Sequence, residues 1–205
     1  ETLKQMSTKD ICKLLVLAVN WSRKGGDIAY ETLLSLLRRG FEAELVVCGC
    51  VPPARLRHPR MKIIPFLSKV DPEDQQRLIE LLRTAHFLLL PSRYDCTPIA
   101  VCEANAFGLP VVATDTGGMS GFVKEGVNGF LLPITASGAE FADVISALFN
   151  DHDRYFRLRH SSRGVYDLLL NWDSWAIAVN KVILEILKVS GNDVRNADRE
   201  IQLIR

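Results

Sequence analysis

Apolar runs of strand length alternate with amphipathic stretches along most of this chain. Residues 13–19 (KLLVLAV) are apolar after the first position, the pattern of a strand buried on both faces. Shorter runs at 45–48, 61–65, 87–90, 111–113 and 130–132 predict five further strands. Between them the apolar positions take helical spacing. Residues 27–39 present Ile28, Leu33, Leu34, Leu36 and Leu37, then close on Arg38, Arg39 and Gly40. That is a helix with cations at its negative end and a glycine stop. Asp71-Pro72-Glu73 opens a second helix, whose apolar face is Leu78, Ile79, Leu81 and Leu82. Thr97-Pro98 opens a third that Gly108 ends, and 118–123 predicts a short fourth. Residues 137–149 are amphipathic through Phe141, Val144, Ile145, Leu148 and Phe149. Residues 151–170 are helical with a break expected at Gly164, and 173–189 form an amphipathic helix anchored by Trp172 and Trp175. Residues 190–205 mix charges with Ile201, Leu203 and Ile204 and carry no clear period.

Strands that alternate with helices, most of them apolar throughout, predict an α/β protein with a doubly wound, Rossmann-like parallel sheet of about six strands. Right-handed crossovers favour the order 3-2-1-4-5-6. The order reverses between the first and fourth strands, so the loops 20–26 and 91–97 should face each other across one crevice. One domain is expected over 1–189, closed by the last helix, with 190–205 as a tail.

Composition narrows the possibilities. A net charge of +1 over 205 residues gives no electrostatic footprint for nucleic acid. No run reaches the roughly 18 apolar residues of a transmembrane helix. The polar start without Met suggests a piece of a longer protein that lacks upstream domains. Five cysteines, an odd number partly set in apolar stretches, argue for reduced cytosolic thiols and a cytoplasmic location. Cys48-Gly49-Cys50 lacks a second Cys/His pair at ligand spacing, so no metal site is expected. Arg55, Arg57 and Arg60 lie in a proline-broken loop, 51–60, that reads as solvated.

The candidate chemistry sits in the two facing loops. Arg23-Lys24-Gly25-Gly26 feeds a helix start, where glycines admit close approach, free N–H groups point outward and Lys24 adds a full charge. In the second loop Thr97 is the expected N-cap and Pro98 the first helical residue, leaving the amides of Ile99 and Ala100 free. Two helix starts and a lysine suit a diphosphate. Asp95 and Glu103 do not. Carboxylates accept hydrogen bonds from hydroxyls, so beside an anionic group they point to a sugar or ribose. Together these residues favour a nucleotide-sugar site.

The segment SRYDCTPIAVCEANAFGLPVVATDTGG, residues 92–118, resembles the C-terminal domain of retaining GT-B glycosyltransferases, glycosyltransferase family four in particular. AVNWSRKGGD, GVNGFLLP and NWDSWA resemble further family segments in the same order, so the likeness runs over about 13–187. The resemblance implies one half of a GT-B architecture and transfer of a sugar, with retained configuration, from a UDP-, GDP- or ADP-sugar. It implies no other cofactor and no metal. Lys24 would bind the diphosphate, with Arg23 and Gly25 beside it. Glu103 would hold the ribose and Asp95 would meet the transferred sugar. Ser92 and the stretch Thr97, Ile99 and Ala100 would contact sugar or phosphate, and Phe66, within 64–67, would lie at the nucleobase. An acceptor sugar, lipid or small molecule would be bound by a missing N-terminal domain, in a protein that is cytoplasmic or peripheral to a membrane. The chain departs from the family pattern at several points. Asp95 stands where glutamate is usual, and Thr97-Pro98 stands where an aromatic–glycine pair is usual. The upstream arginine is absent from its common position, Ser120-Gly121 replaces Pro-Glu, and His86 replaces an acid. Pro98 has no N–H to give a ligand. Two other readings stay open: a nucleotide-sugar-binding module without transferase activity, and a GT-B-fold epimerase or phosphorylase.

Overall fold

The computed structural model describes residues 11–189. The chain divides into two compact units, one ending at Asp167 and the other starting at Leu168. In chain order the first runs β1 (Cys12–Leu17), α1 (Gly26–Arg38), β2 (Ala43–Cys48), β3 (Met61–Ile64), α2 (Pro72–Thr84), β4 (Phe87–Leu90), α3 (Ile99–Ala106), β5 (Val111–Thr114), α4 (Met119–Phe122), β6 (Gly129–Leu132), α5 (Gly138–Asn150) and α6 (His152–Leu168), which ends at the boundary. The second carries α7 (Trp172–Val189), where the rings of Trp172 and Trp175 meet edge to face at 5.9 Å. The expected tail 190–205 lies outside the described residues.

The six strands pair in parallel in the order β3-β2-β1-β4-β5-β6, as the alternating pattern predicts. In the register Leu14 faces Leu45 on one side and Phe87 on the other. Successive strand residues point to opposite faces. Leu14, Val16, Leu45, Val47, Phe87, Leu89 and Val112 join one core cluster with Ala29, Leu33 and Leu36 of α1 and Phe141, Ile145 and Leu148 of α5. Leu15, Leu88, Leu90, Val111 and Ala113 are also buried, on alternate positions, and α2 touches β1 while α3 touches β5. Fully burying one such Leu or Phe is worth about 1.5–3 kcal/mol. The apolar strands therefore hold helices on both faces, and polar residues collect in the loops at strand ends.

The helix ends follow the expected chemistry in most places. Asp71 caps α2 by accepting the Asp74 N–H at 2.9 Å, with Pro72 in the first turn. Two expectations need correction. The break at Gly164 is absent: α6 runs through it, because glycine weakens a helix by about 1 kcal/mol without stopping it. Buried Leu158, Ser162 and Val165 flank Gly164 and hold the helix in place. The third helix starts at Ile99, later than Thr97-Pro98 suggests, for a reason that belongs to the site.

Candidate functional site

The β1–α1 loop is built around its two glycines. Asn20 accepts the Arg23 N–H on its side chain at 2.8 Å, and Gly26 N–H returns to the Trp21 carbonyl at 2.9 Å. Gly25 sits at φ 65, in the left-handed region, and a Cβ there would stand 1.8 Å from the Pro91 carbonyl oxygen. A Cβ on Gly26 would fall 2.2 Å from the Trp21 ring. One glycine thus lets the start of α1 touch the end of β4, and the other makes room for the indole.

The loop after β4 answers these contacts. Arg93 N–H donates to the Arg23 carbonyl at 2.9 Å, and its guanidinium donates to the Ser22 carbonyl at 2.7 Å. The same guanidinium grips Asp27 through both carboxylate oxygens, at 2.9 and 2.7 Å. This paired hydrogen bond holds the Asp27 carboxyl below its ordinary range, against the opposing effect of burial. Arg23 reaches the Tyr94 carbonyl at 3.5 Å. Lys24 Nζ forms an ion pair with Asp95, and the two side chains are only 11% and 7% exposed. The loops 20–26 and 91–97 therefore face each other at the switch point, as expected, and share a nearly buried charge pair.

A third segment locks the second loop from behind. Gly118 N–H donates to the Asp95 carbonyl at 3.0 Å, and Thr116 Oγ1 donates to the Arg93 carbonyl at 3.3 Å. Behind α3, Asn128 Nδ2 donates to Asn105 Oδ1 at 2.6 Å, within the buried layer.

The start of α3 differs from expectation. Thr97 makes no cap, and Pro98 takes the N-cap position at φ −79, ψ 72, the geometry of an inverse γ-turn. The Ile99 N–H folds back onto the Thr97 carbonyl at 2.9 Å, so it is not free. The cause is proline itself. It disfavours helical backbone at the preceding residue and fixes its own φ, so the chain turns once more before winding up. Among the described residues the Ala100 N–H has no backbone partner, which leaves one helix-start donor where two were expected. Ser92 Oγ is fully buried and finds no hydrogen-bond partner among the described residues.

Glu103 lies one turn into α3 and forms an ion pair with Lys69, from the β3–α2 loop. Phe66, in the same loop, is 68% exposed. Of the sequence candidates, Arg23, Lys24, Gly25, Ser92, Asp95, Thr97, Ile99 and Ala100 fall in the two facing loops and the α3 start, while Phe66 lies in the β3–α2 loop and Glu103, in α3, pairs with Lys69 of that loop. Arg93 and Lys69 escaped the sequence reading. Arg93 left a trace in its place just after Pro91-Ser92, whereas Lys69 is a lone cation in a polar loop and left none.

His86, just before β4, is buried and structural in its contacts. Its Nδ1 accepts the Lys13 N–H at 3.0 Å, which puts the ring proton on Nε2, which finds no partner among the described residues. Burial, with the charges of Arg159 and Lys13, pushes its pKa down to about 4.

Fold and site together define a Rossmann-like α/β domain with its polar residues gathered at the switch point of the sheet. Residues 12–151 match the model of the family described as glycosyl transferases group 1, and the chain belongs to that family. It is 29% identical over 145 residues to D-inositol 3-phosphate glycosyltransferase of Nocardia farcinica, covering 66% of this chain and 32% of that protein. It is 25% identical over 150 residues to alpha-D-kanosaminyltransferase of Streptomyces kanamyceticus, covering 69% and 37%. The chain therefore spans about a third of the length of these curated relatives. Among solved structures, Anabaena HepE in complex with UDP-glucose superposes with a TM-score of 0.68 at 18% identity, over 89% of this chain and 50% of that one. At that identity the likeness is one of fold.

Proposed function

We propose that this chain is the donor-binding half of a glycosyltransferase that moves a sugar from a nucleoside diphosphate sugar to an acceptor hydroxyl, with retention of anomeric configuration. The observation that carries the reading is the switch-point crevice, where Lys24, Asp95 and the start of α3 are held by interlocked main chains. The names of the two curated relatives and the UDP-glucose bound to HepE support the same class of chemistry. In this reading the donor diphosphate takes Lys24 from Asp95 and lies against the Ala100 amide. Asp95, freed from the lysine, turns its carboxylate to hydroxyls of the transferred sugar. Negative charge grows on the diphosphate as the glycosidic bond breaks. A cation already in place steadies that charge without reorganisation, a contact worth on the order of 3 kcal/mol. Glu103 holds the ribose hydroxyls, and Phe66 lies at the base of a UDP, GDP or ADP donor. The acceptor, a sugar, lipid or small molecule, binds to a part of the protein outside this chain, onto which α7 docks. Alone, the chain binds donor without turning it over, in a cytoplasmic protein or one peripheral to a membrane.

The test is transfer by the intact protein, with its donor chosen by calorimetric titration of UDP-, GDP- and ADP-sugars. Lys24→Ala is expected to lower turnover by about a hundredfold or more. Turnover near the wild-type level would refute the role. A binding module without transferase activity is the second reading, favoured by the γ-turn that occupies the Ile99 amide. Donor binding without transfer by the intact protein would select it.

A further inference from the structure

We propose that Lys69 is a positioning residue for Glu103, fixing and neutralising the carboxylate so that it accepts hydrogen bonds from the ribose of a nucleoside diphosphate. The inference rests on the donor-site reading above and adds a residue outside the motifs that led to it.

Three observations converge on Lys69. The first is the ion pair of Lys69 Nζ with Glu103 Oε1, between residues 34 apart in sequence. The second is the loop that carries Lys69, which is built rather than loose. Ser68 N–H donates to Asp74 Oδ2 at 2.9 Å, the Gln75 side-chain amide donates to the Lys69 carbonyl, and Leu67 is buried. The first turn of α2 thus fixes the Lys69 backbone, and only the side chain reaches across to α3. The third is the state of the acid. The Glu103 side chain is 28% exposed, while that of Lys69 is 63% exposed. Lys69 engages Oε1, and no bond to Oε2 is found among the described residues.

A pair this open to water adds little to folding stability. Its consequences are geometric and electrostatic. A glutamate on a helix surface samples several rotamers, and tethering one oxygen to a fixed loop selects one of them. The second oxygen keeps its lone pairs for a donor from outside. A bare carboxylate beside a diphosphate would also repel it. Paired with lysine, the carboxylate keeps its acceptor strength while its charge is offset. The ligand chemistry that fits is a neutral hydroxyl pair attached to an anionic group, which is ribose carrying a diphosphate.

The test is calorimetry on the intact protein with UDP, GDP and ADP, then with the 2′-deoxy and 3′-deoxy forms of whichever binds. Wild type is expected to prefer the ribonucleotide by about ten- to a hundredfold, the worth of a hydrogen bond to a charged acceptor. Lys69→Met, similar in length but uncharged, is expected to cut that preference to below about threefold, and Lys69→Arg to restore it. A preference unchanged in Lys69→Met, including equal weakening of both ligand forms, overturns this inference and leaves the donor-site reading standing. Failure of wild type to bind any of the three nucleotides overturns both.

Discussion

Gly25→Ala tests whether the contact between the first and second loops organises the site. The substitution has two costs that can be separated. At φ 65 an alanine pays the left-handed backbone penalty, about 1 kcal/mol. Its Cβ would also stand 1.8 Å from the Pro91 oxygen, where ordinary contact begins at 3.4 Å, so one chain must retreat by about 1.6 Å. Overpacking of this kind adds about 2–3 kcal/mol. Gly40 supplies the control. It has φ 81, and a Cβ there would meet nothing within 4 Å among the described residues, so Gly40→Ala carries the backbone penalty alone. The gain from restricting the unfolded chain is shared by both variants and cancels in the comparison. In urea denaturation Gly25→Ala should lose about 3–4 kcal/mol against about 1 for Gly40→Ala. In thermal melts that difference is roughly 5–10 °C for a chain of this size. Gly25→Ala should also weaken donor binding, because Lys24 is the neighbouring residue and moves with it, while Gly40→Ala should not. Equal stability of the two variants would show that the loops can separate freely, and the account of the crevice would fall.

Two further predictions concern buried charge. Lys24→Met leaves the Asp95 carboxylate nearly buried and unpaired, which should cost about 3–5 kcal/mol, and Lys24→Met/Asp95→Asn should recover much of it. A double-mutant cycle giving a coupling below about 0.5 kcal/mol would show the pair to be no stronger than a surface one. For His86, the folded pKa of about 4 lies below the ordinary 6.5, so the unfolded chain binds more protons between these values. Stability from this residue is therefore complete above pH 6.5 and declines by about 3 kcal/mol as pH falls towards 4. His86→Asn, which keeps an acceptor for the Lys13 N–H, should flatten that part of the profile in urea titrations across pH. An unchanged slope would place the titration elsewhere.

The sheet order was legible because it depends on summed signals. Strands apolar throughout and helices of the right period leave few ways to wind, and the loops 20–26 and 91–97 meet as a consequence. Helix ends were less legible where a single residue decides. Gly164 carries the same letter as a helix stop, yet buried neighbours on both sides hold α6 through it. Pro98 is a good first helical residue in general, but here it closes a γ-turn and delays α3 by one residue. Partners across the sheet were least legible. Nothing near Lys69 in sequence announces Glu103, and the Arg93 grip on Asp27 depends on a distance that only the folded sheet sets.

The interlock of the three loops has a consequence for how such a site changes over time. Arg93 N–H holds the Arg23 carbonyl, Gly118 N–H holds the Asp95 carbonyl, and a Cβ on Gly117 or Gly118 would collide with the Asp95 or Cys96 carbonyl. These are main-chain contacts, indifferent to the side chains between them. Tyr94, Cys96 and Thr97 project from the same loop into solvent. Inheritance can therefore rewrite those three letters while the scaffold beneath stays fixed. Glycines mark the positions where drift is barred, and the exposed residues between them are where a new ligand contact is acquired at least cost to the fold.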